Sequence, residues 1–157
     1  MDTQASLSRR ETGEVRCGTS QLLPDIGARR RESRADLLFA SEVLRSLRGG
    51  STPSPQVLES SGFVEHWIVL TQEDVCLLMG TVWRLPLSRN RLATPLLAID
   101  PVAGWARAVG EWLTIGTPCL DLAAAGIHPD GVADRAARWL ERKLCTDHYD
   151  KDRVQRN

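Results

Sequence analysis

Residues 75–116, VCLLMGTVWRLPLSRNRLATPLLAIDPVAGWARAVGEWLTIG, decide the fold. Apolar runs at 75–85, 91–100 and 105–115 are separated by two short, turn-rich connections, 86–90 and 101–104. Strands joined by so few residues pair antiparallel, because a parallel pair needs a crossover of a dozen residues or more. The stretch is read as a three-stranded antiparallel β-meander with strands at 75–85, 96–100 and 105–115. Pro95 has no amide proton to give to a ladder, so either the second strand starts at Leu96 or a bulge sits at Thr94-Pro95. In the first strand Val75, Leu77, Met79 and Trp83 share one face, and Cys76, Leu78 and Val82 share the other. Apolar residues on both faces imply a sheet covered on both sides or curled on itself.

Helices flank this sheet. Upstream, Ser33 followed by Asp36 has the form of a capping box. Leu37, Ala40, Leu44 and Leu47 then repeat at helical spacing until Gly49-Gly50, which predicts a helix over 33–48. Ser54 before Pro55 suits the start of a short helix over 55–60. Residues 67–71 read as a short strand, and 119–125 as a helical turn ended by Gly126. Downstream, Val132, Ala136, Leu140 and Leu144 stack at helical spacing, predicting a helix over 129–145 with acids near its start and bases near its end. The fold class is α+β, a meander flanked by an N-terminal and a C-terminal helix. Residues 1–32 are polar, Gly-broken and without period, and are read as a flexible arm; 33–145 form a single domain; 146–157 form a charged tail.

Composition narrows the function classes. A chain of 157 residues, 42% hydrophobic and 25% charged, is long enough for one domain with a proper core. Twenty basic residues balance twenty acidic ones, so no overall field draws it to nucleic acid or anionic lipid. Eighteen of the basic residues are Arg, a bias that suits phosphate recognition but is read first as the mark of a GC-rich genome. No signal peptide and no membrane-length apolar run is present, so the expected location is the cytoplasm. There Cys17, Cys76, Cys119 and Cys145, scattered and without a C-x-x-C pair, are expected to be free thiols.

Motifs that carry chemistry do not appear. There is no phosphate-binding glycine loop and no G-x-S-x-G. Cys145 and His148 form a lone Cys-x-x-His pair, short of the three or four local ligands zinc needs. His66 neighbours Glu65, but adjacent residues on a strand face opposite ways. No cofactor, no metal and no enzymatic activity are expected. Residues left as candidate partner contacts are Arg29, Arg30 and Arg31 on the arm, with Trp83, Trp105, Arg107 and Trp112 in the meander. Those tryptophans read first as the bulk of a small β-core and second as a stacking platform for bases.

A set of residues spread over about half the chain carries a resemblance. They are Gly50, Pro55, Leu58, Trp67, Gly80 with Val82, Pro86, Thr94, Leu96 and Asp100. The run Ala103-Gly104-Trp105-Ala106-Arg107 follows, then Trp112 and Gly116. On these the chain resembles a family of short bacterial proteins catalogued as a domain of unknown function. The resemblance implies an N-terminal helix and a Trp-containing β-meander, and supplies no activity. Leu85, Pro95, Ala108 and Glu111 stand where that family carries His, Ser, Thr and Arg, so any binding its members make through those groups is not implied here.

Two functions remain in view. The first is a non-enzymatic interaction or regulatory module that docks a protein through a sheet edge or a Trp-rich face. The second is a small nucleic-acid binder that uses Arg29–Arg31, Arg89, Arg91 and the tryptophans. The hairpin at 101–104 also yields a structural expectation. With Asp100 facing Trp105 and Ala98 facing Arg107, Asp100 and Arg107 are diagonal neighbours on one face, and a cross-strand ion pair is expected.

Overall fold

The computed structural model describes residues 32–154. The arm, with Arg29, Arg30 and Arg31, lies outside the described residues save for Glu32, as do residues 155–157. The elements run α1 (Arg34–Arg48), α2 (Pro55–Glu59), β1 (Gly62–Gln72), β2 (Val75–Arg84), β3 (Ser88–Asp100), β4 (Trp105–Ala108), β5 (Trp112–Ile115) and α3 (Pro129–Val154). The α+β class holds, but the sheet is a closed five-stranded barrel rather than a three-stranded meander. Neighbours pair antiparallel in chain order, and β5 closes on β1 in parallel through Gly62–Leu113, Phe63–Thr114 and Val64–Ile115.

Three corrections produce this barrel. The expected third strand, 105–115, is two strands, because the chain turns back at 109–111, where Ala108 N–H meets the Glu111 carbonyl at 3.0 Å. The short strand expected at 67–71 is an eleven-residue strand from Gly62, interrupted by a bulge that places both His66 and Trp67 opposite Gly80. His66 takes a φ of 49° there, and Trp67 swings inward so that its indole N–H donates to the Gly116 carbonyl at 2.8 Å. The expected second strand begins at Ser88 and runs straight through Pro95. The Pro95 carbonyl accepts Val109 N–H at 3.3 Å, so its nitrogen faces the β4 side, where the β3–β4 ladder starts only at Leu96. A missing N–H costs no ladder bond at that place.

The local elements follow their caps. Ser33 caps α1 with the full capping box to Asp36, and Gly49 ends it. Ser54 caps α2, with Pro55 at its first position. α3 runs on past Cys145 to Val154, so most of the expected charged tail is helical.

Both faces of the barrel wall are covered, as the doubly apolar β2 implied. Inside, Val64, Trp67, Cys76, Leu78, Val82, Leu96, Ala106 and Leu113 fill the barrel, and Leu122 and Val132 join the same buried cluster. Outside, Leu37, Ala40 and Leu44 of α1 and Ala136, Trp139 and Leu140 of α3 pack on Val75, Leu77, Met79, Leu97 and Val109. Each large side chain buried this way contributes roughly 1.5–3 kcal/mol. Arg142 pairs with Asp74 at 2.6 Å, tying α3 to the β1–β2 turn, and Arg48 pairs with Asp134 across the two helices.

Candidate functional site

The β2–β3 hairpin reaches past the barrel. β1 stops pairing with β2 at Phe63–Trp83, and β4 meets β3 only from Leu96 onward. Arg84 and Ser88 therefore pair only with each other, while residues 89–91 pair with Trp83, Val82 and Thr81 of β2, and the turn runs through 85–87 with a cis Leu85–Pro86 peptide. Every residue from Leu85 to Arg91 is exposed. Leu85 is 86% exposed and Leu87 89%, so two large apolar side chains stand in water at the tip. Turn positions are normally polar, and leucines exposed there forgo the transfer free energy that burial would return.

Behind the tip the outer face is aromatic and basic. Phe63, Trp83 and Arg89 stand directly across from one another on three strands. The Arg89 guanidinium lies 5.3 Å from the Trp83 ring centre, a cation–π contact that leaves the in-plane N–H groups of the fork free to bond. Between Thr81 and Thr94 the sequence holds Arg84, Arg89 and Arg91 and no acid. Arg84 braces the base of the hairpin by donating to both carboxylate oxygens of Glu111, at 2.6 and 2.8 Å.

The other tryptophans and Arg107 sit differently. Trp105 is 8% exposed and Arg107 4%, both on the outer wall of β4 beneath α1. The Arg107 guanidinium is stacked between Trp112, 5.2 Å away, and Phe39 of α1, 5.9 Å away, and its Nε has no hydrogen-bond partner. Burial pushes its pKa below the ordinary value, against the opposing pull of the Glu111 charge. Trp105 and Trp112 meet edge to face at 5.6 Å. These residues pack the helix onto the barrel and offer no open stacking platform; of the expected aromatic contacts only Trp83 remains at an exposed surface.

The expected Asp100–Arg107 ion pair is absent, although its register is present, with Asp100 opposite Trp105 and Ala98 opposite Arg107. Asp100 Oδ1 instead accepts the backbone N–H groups of Val102 and Ala103 at 3.0 and 2.9 Å. Capping its own turn satisfies the carboxylate locally, and the stacked Arg107 points elsewhere. Gly104, with φ 77°, completes that turn in a conformation that glycine takes without strain.

A cavity of about 680 Å³ lies between the end of α1, the β3–β4 turn and the start of α3. Its charged rim is already engaged: Arg48 with Asp134, Asp100 with its turn, and His128 Nδ1 with the Asp130 N–H at 3.3 Å. Among the described residues no three His, Cys, Asp or Glu side chains gather as a metal-binding group. Cys76, 1% exposed inside the barrel, is in no position to act as a nucleophile. No helix among the described residues is long and apolar enough to cross a membrane.

What sequence reading missed is the hairpin tip. The signal was Leu-Pro-Leu at 85–87, apolar residues inside a segment whose Pro, Ser and Asn mark a turn. No protein-family model, curated protein or solved structure matches the chain.

Proposed function

We propose that this chain is a non-enzymatic interaction module that docks a protein partner through the β2–β3 hairpin. The observation that carries the reading is the pair of leucines, Leu85 and Leu87, exposed at 86% and 89% on the tip of a projecting, braced hairpin. An apolar tip rimmed by arginine is the composition of an interface centre with its polar rim. The test is a photo-crosslinker placed at position 87, with one at the exposed Glu141 of α3 as control, in the cells that make the protein. A discrete species captured from position 87, absent from position 141 and lost on Leu85→Ser, is expected. Capture that is equal from both positions, or none from position 87, rejects the reading.

A second reading is favoured by one contact. Arg89 over a partly exposed Trp83 is the kind of pair on which a nucleobase stacks. It predicts binding to a single-stranded oligonucleotide that weakens steeply with salt and fails in Trp83→Ala. No binding at low salt removes it.

A further inference from the structure

Arg107 carries a charge that nothing in the fold neutralises. It is 4% exposed. Strand register brings Asp100 to a diagonal position, but that carboxylate is taken up by the backbone N–H groups of Val102 and Ala103. The acid whose field Arg107 feels, Glu111, accepts from Arg84 through both oxygens. Among the described residues no hydrogen bond or ion pair reaches the Arg107 guanidinium. Its Nε is sealed from solvent without an acceptor, whereas Nη1 and Nη2, also without one, are not sealed. Burying a charge with no counter-charge is strongly unfavourable, and two aromatic rings offset only part of that. A methionine of similar volume fills the same gap without the penalty. The partner of this charge therefore lies outside the fold.

The surroundings of Arg107 state the chemistry of that partner. Trp112 and Phe39 lie against the guanidinium at 5.2 and 5.9 Å, contacts made through its faces that leave the N–H groups in its plane unused. Nη1 and Nη2 present a two-pronged edge, which matches the two oxygens of one carboxylate. A dianion such as phosphate is disfavoured, because Arg84 is already paired and Glu111 adds a negative charge nearby. Phe39, 58% exposed on α1, forms the outer wall, so an apolar body joined to the carboxylate gains contact with its ring. Exposed side chains change rotamer on the ps–ns scale, which opens a way in past Phe39.

We infer that Arg107, with Phe39 and Trp112, forms a binding site for a small monocarboxylate with an aromatic or other apolar body. The carboxylate accepts from both terminal nitrogens of Arg107, and the body rests against Phe39 at the edge of α1. The site is separate from the hairpin tip and does not depend on the docking reading.

The isotope-labelled full chain is titrated with benzoate and followed by NMR at the Arg107 Nε–H and Trp112 indole N–H signals. Companion probes are acetate, which lacks the ring, benzyl alcohol, which lacks the charge, and phosphate. Benzoate is expected to shift both signals saturably, while benzyl alcohol and phosphate leave them in place. Acetate should bind at least about tenfold more weakly, because it makes no contact with Phe39. Arg107→Met should abolish the benzoate response at Trp112 with the fold intact. Phe39→Ser, a change at an exposed position, should weaken benzoate at least about threefold and leave acetate unchanged. Should Arg107→Met fail to fold, Phe39→Ser decides alone. A benzoate response that survives in folded Arg107→Met, or no response to benzoate in the native chain, overturns the inference and leaves Arg107 as a staple between two rings. Benzyl alcohol binding as well as benzoate overturns it too, since ring contact and not charge would then hold the ligand. Phosphate binding as well as benzoate overturns the carboxylate assignment.

Discussion

Arg107 and Trp112 face each other across the β4–β5 pairing, with the guanidinium carbon 5.2 Å from the centre of the indole ring. Arg107 is also the one buried charged side chain among the described residues. Its stem and flat head fill the space between Trp112 and Phe39, while its Nε goes without a partner. Packing and cation–π attraction stabilise this arrangement, and loss of water opposes it. Arg107→Ala should cost about 1–3 kcal/mol through the lost contact with both rings. Arg107→Met, which keeps the volume and drops the charge, should lie within about 1 kcal/mol of the native chain. Urea unfolding of the two variants decides. Equal losses would mean that the charge, and not the shape, holds α1 to the barrel.

Asp100 and Arg107 should behave as independent sites. Asp100→Ala should lower stability by about 1 kcal/mol, since it frees two backbone N–H groups of the turn at Val102 and Ala103. The double variant Asp100→Ala, Arg107→Ala should equal the sum of the single losses to within about 0.5 kcal/mol. A double-mutant cycle with a larger coupling would restore the ion pair that the strand register alone suggests.

Gly80 is fixed by the bulge across from it. A methyl group there meets Val64 Cγ1 at 2.8 Å, the Glu65 carbonyl at 3.1 Å and Trp67 Cα at 3.2 Å, the last two being backbone. Gly80→Ala should therefore destabilise by about 1–3 kcal/mol, the usual cost of overpacking. Thermal melting checks this, and an unchanged melting temperature would show that the bulge relaxes freely.

Trp67→Phe tests the bond that the bulge creates. The variant removes the indole N–H that bonds the Gly116 carbonyl and leaves a void in the barrel. A loss of about 2–4 kcal/mol is expected from the unpaired carbonyl and the missing volume together. Denaturant titration that shows less than about 1 kcal/mol would place the weight of the barrel elsewhere.

The double variant Leu85→Ser, Leu87→Ser should unfold within about 0.5 kcal/mol of the native protein, because both side chains already stand in water. Capture by a crosslinker at position 89 should be lost all the same. Docking that survives with stability unchanged would move the contact surface away from the tip.

Legibility in the sequence followed distance along the chain. Ser33 with Asp36, Ser54 with Pro55, and the stripe Leu37, Ala40 and Leu44 each declare a helix within one or two turns. The 101–104 turn likewise fixed the register of Asp100 on Trp105. β1 was harder to see, because the bulge at His66 and Trp67 breaks the alternation by which a strand is recognised. β4 and β5 looked like one strand because Val109, at the turn between them, is buried beneath the helices and reads as apolar as its neighbours. The far end of α3 carries no apolar stripe in Thr146, Asp147, Lys151 and Asp152, so nothing local marked it as helix. The candidate hairpin was visible as a turn, but projection is a statement about where β1 and β4 end, and no residue of the turn records that.

The parallel β1–β5 seam has a consequence for how the chain reaches its native state. Every other ladder joins strands adjacent in sequence and can zip from its own turn, whereas the seam waits for segments such as Trp67 and Gly116, 49 positions apart. Loop-closure entropy falls on that one step, so seam formation is expected to limit the folding rate. During synthesis the first four strands emerge with β1 still lacking its second neighbour, and the barrel can shut only once the four residues of β5 have left the ribosome. A stop codon just upstream of Trp112 would thus leave most of the strand content but an unclosed sheet, a species suited to degradation or aggregation.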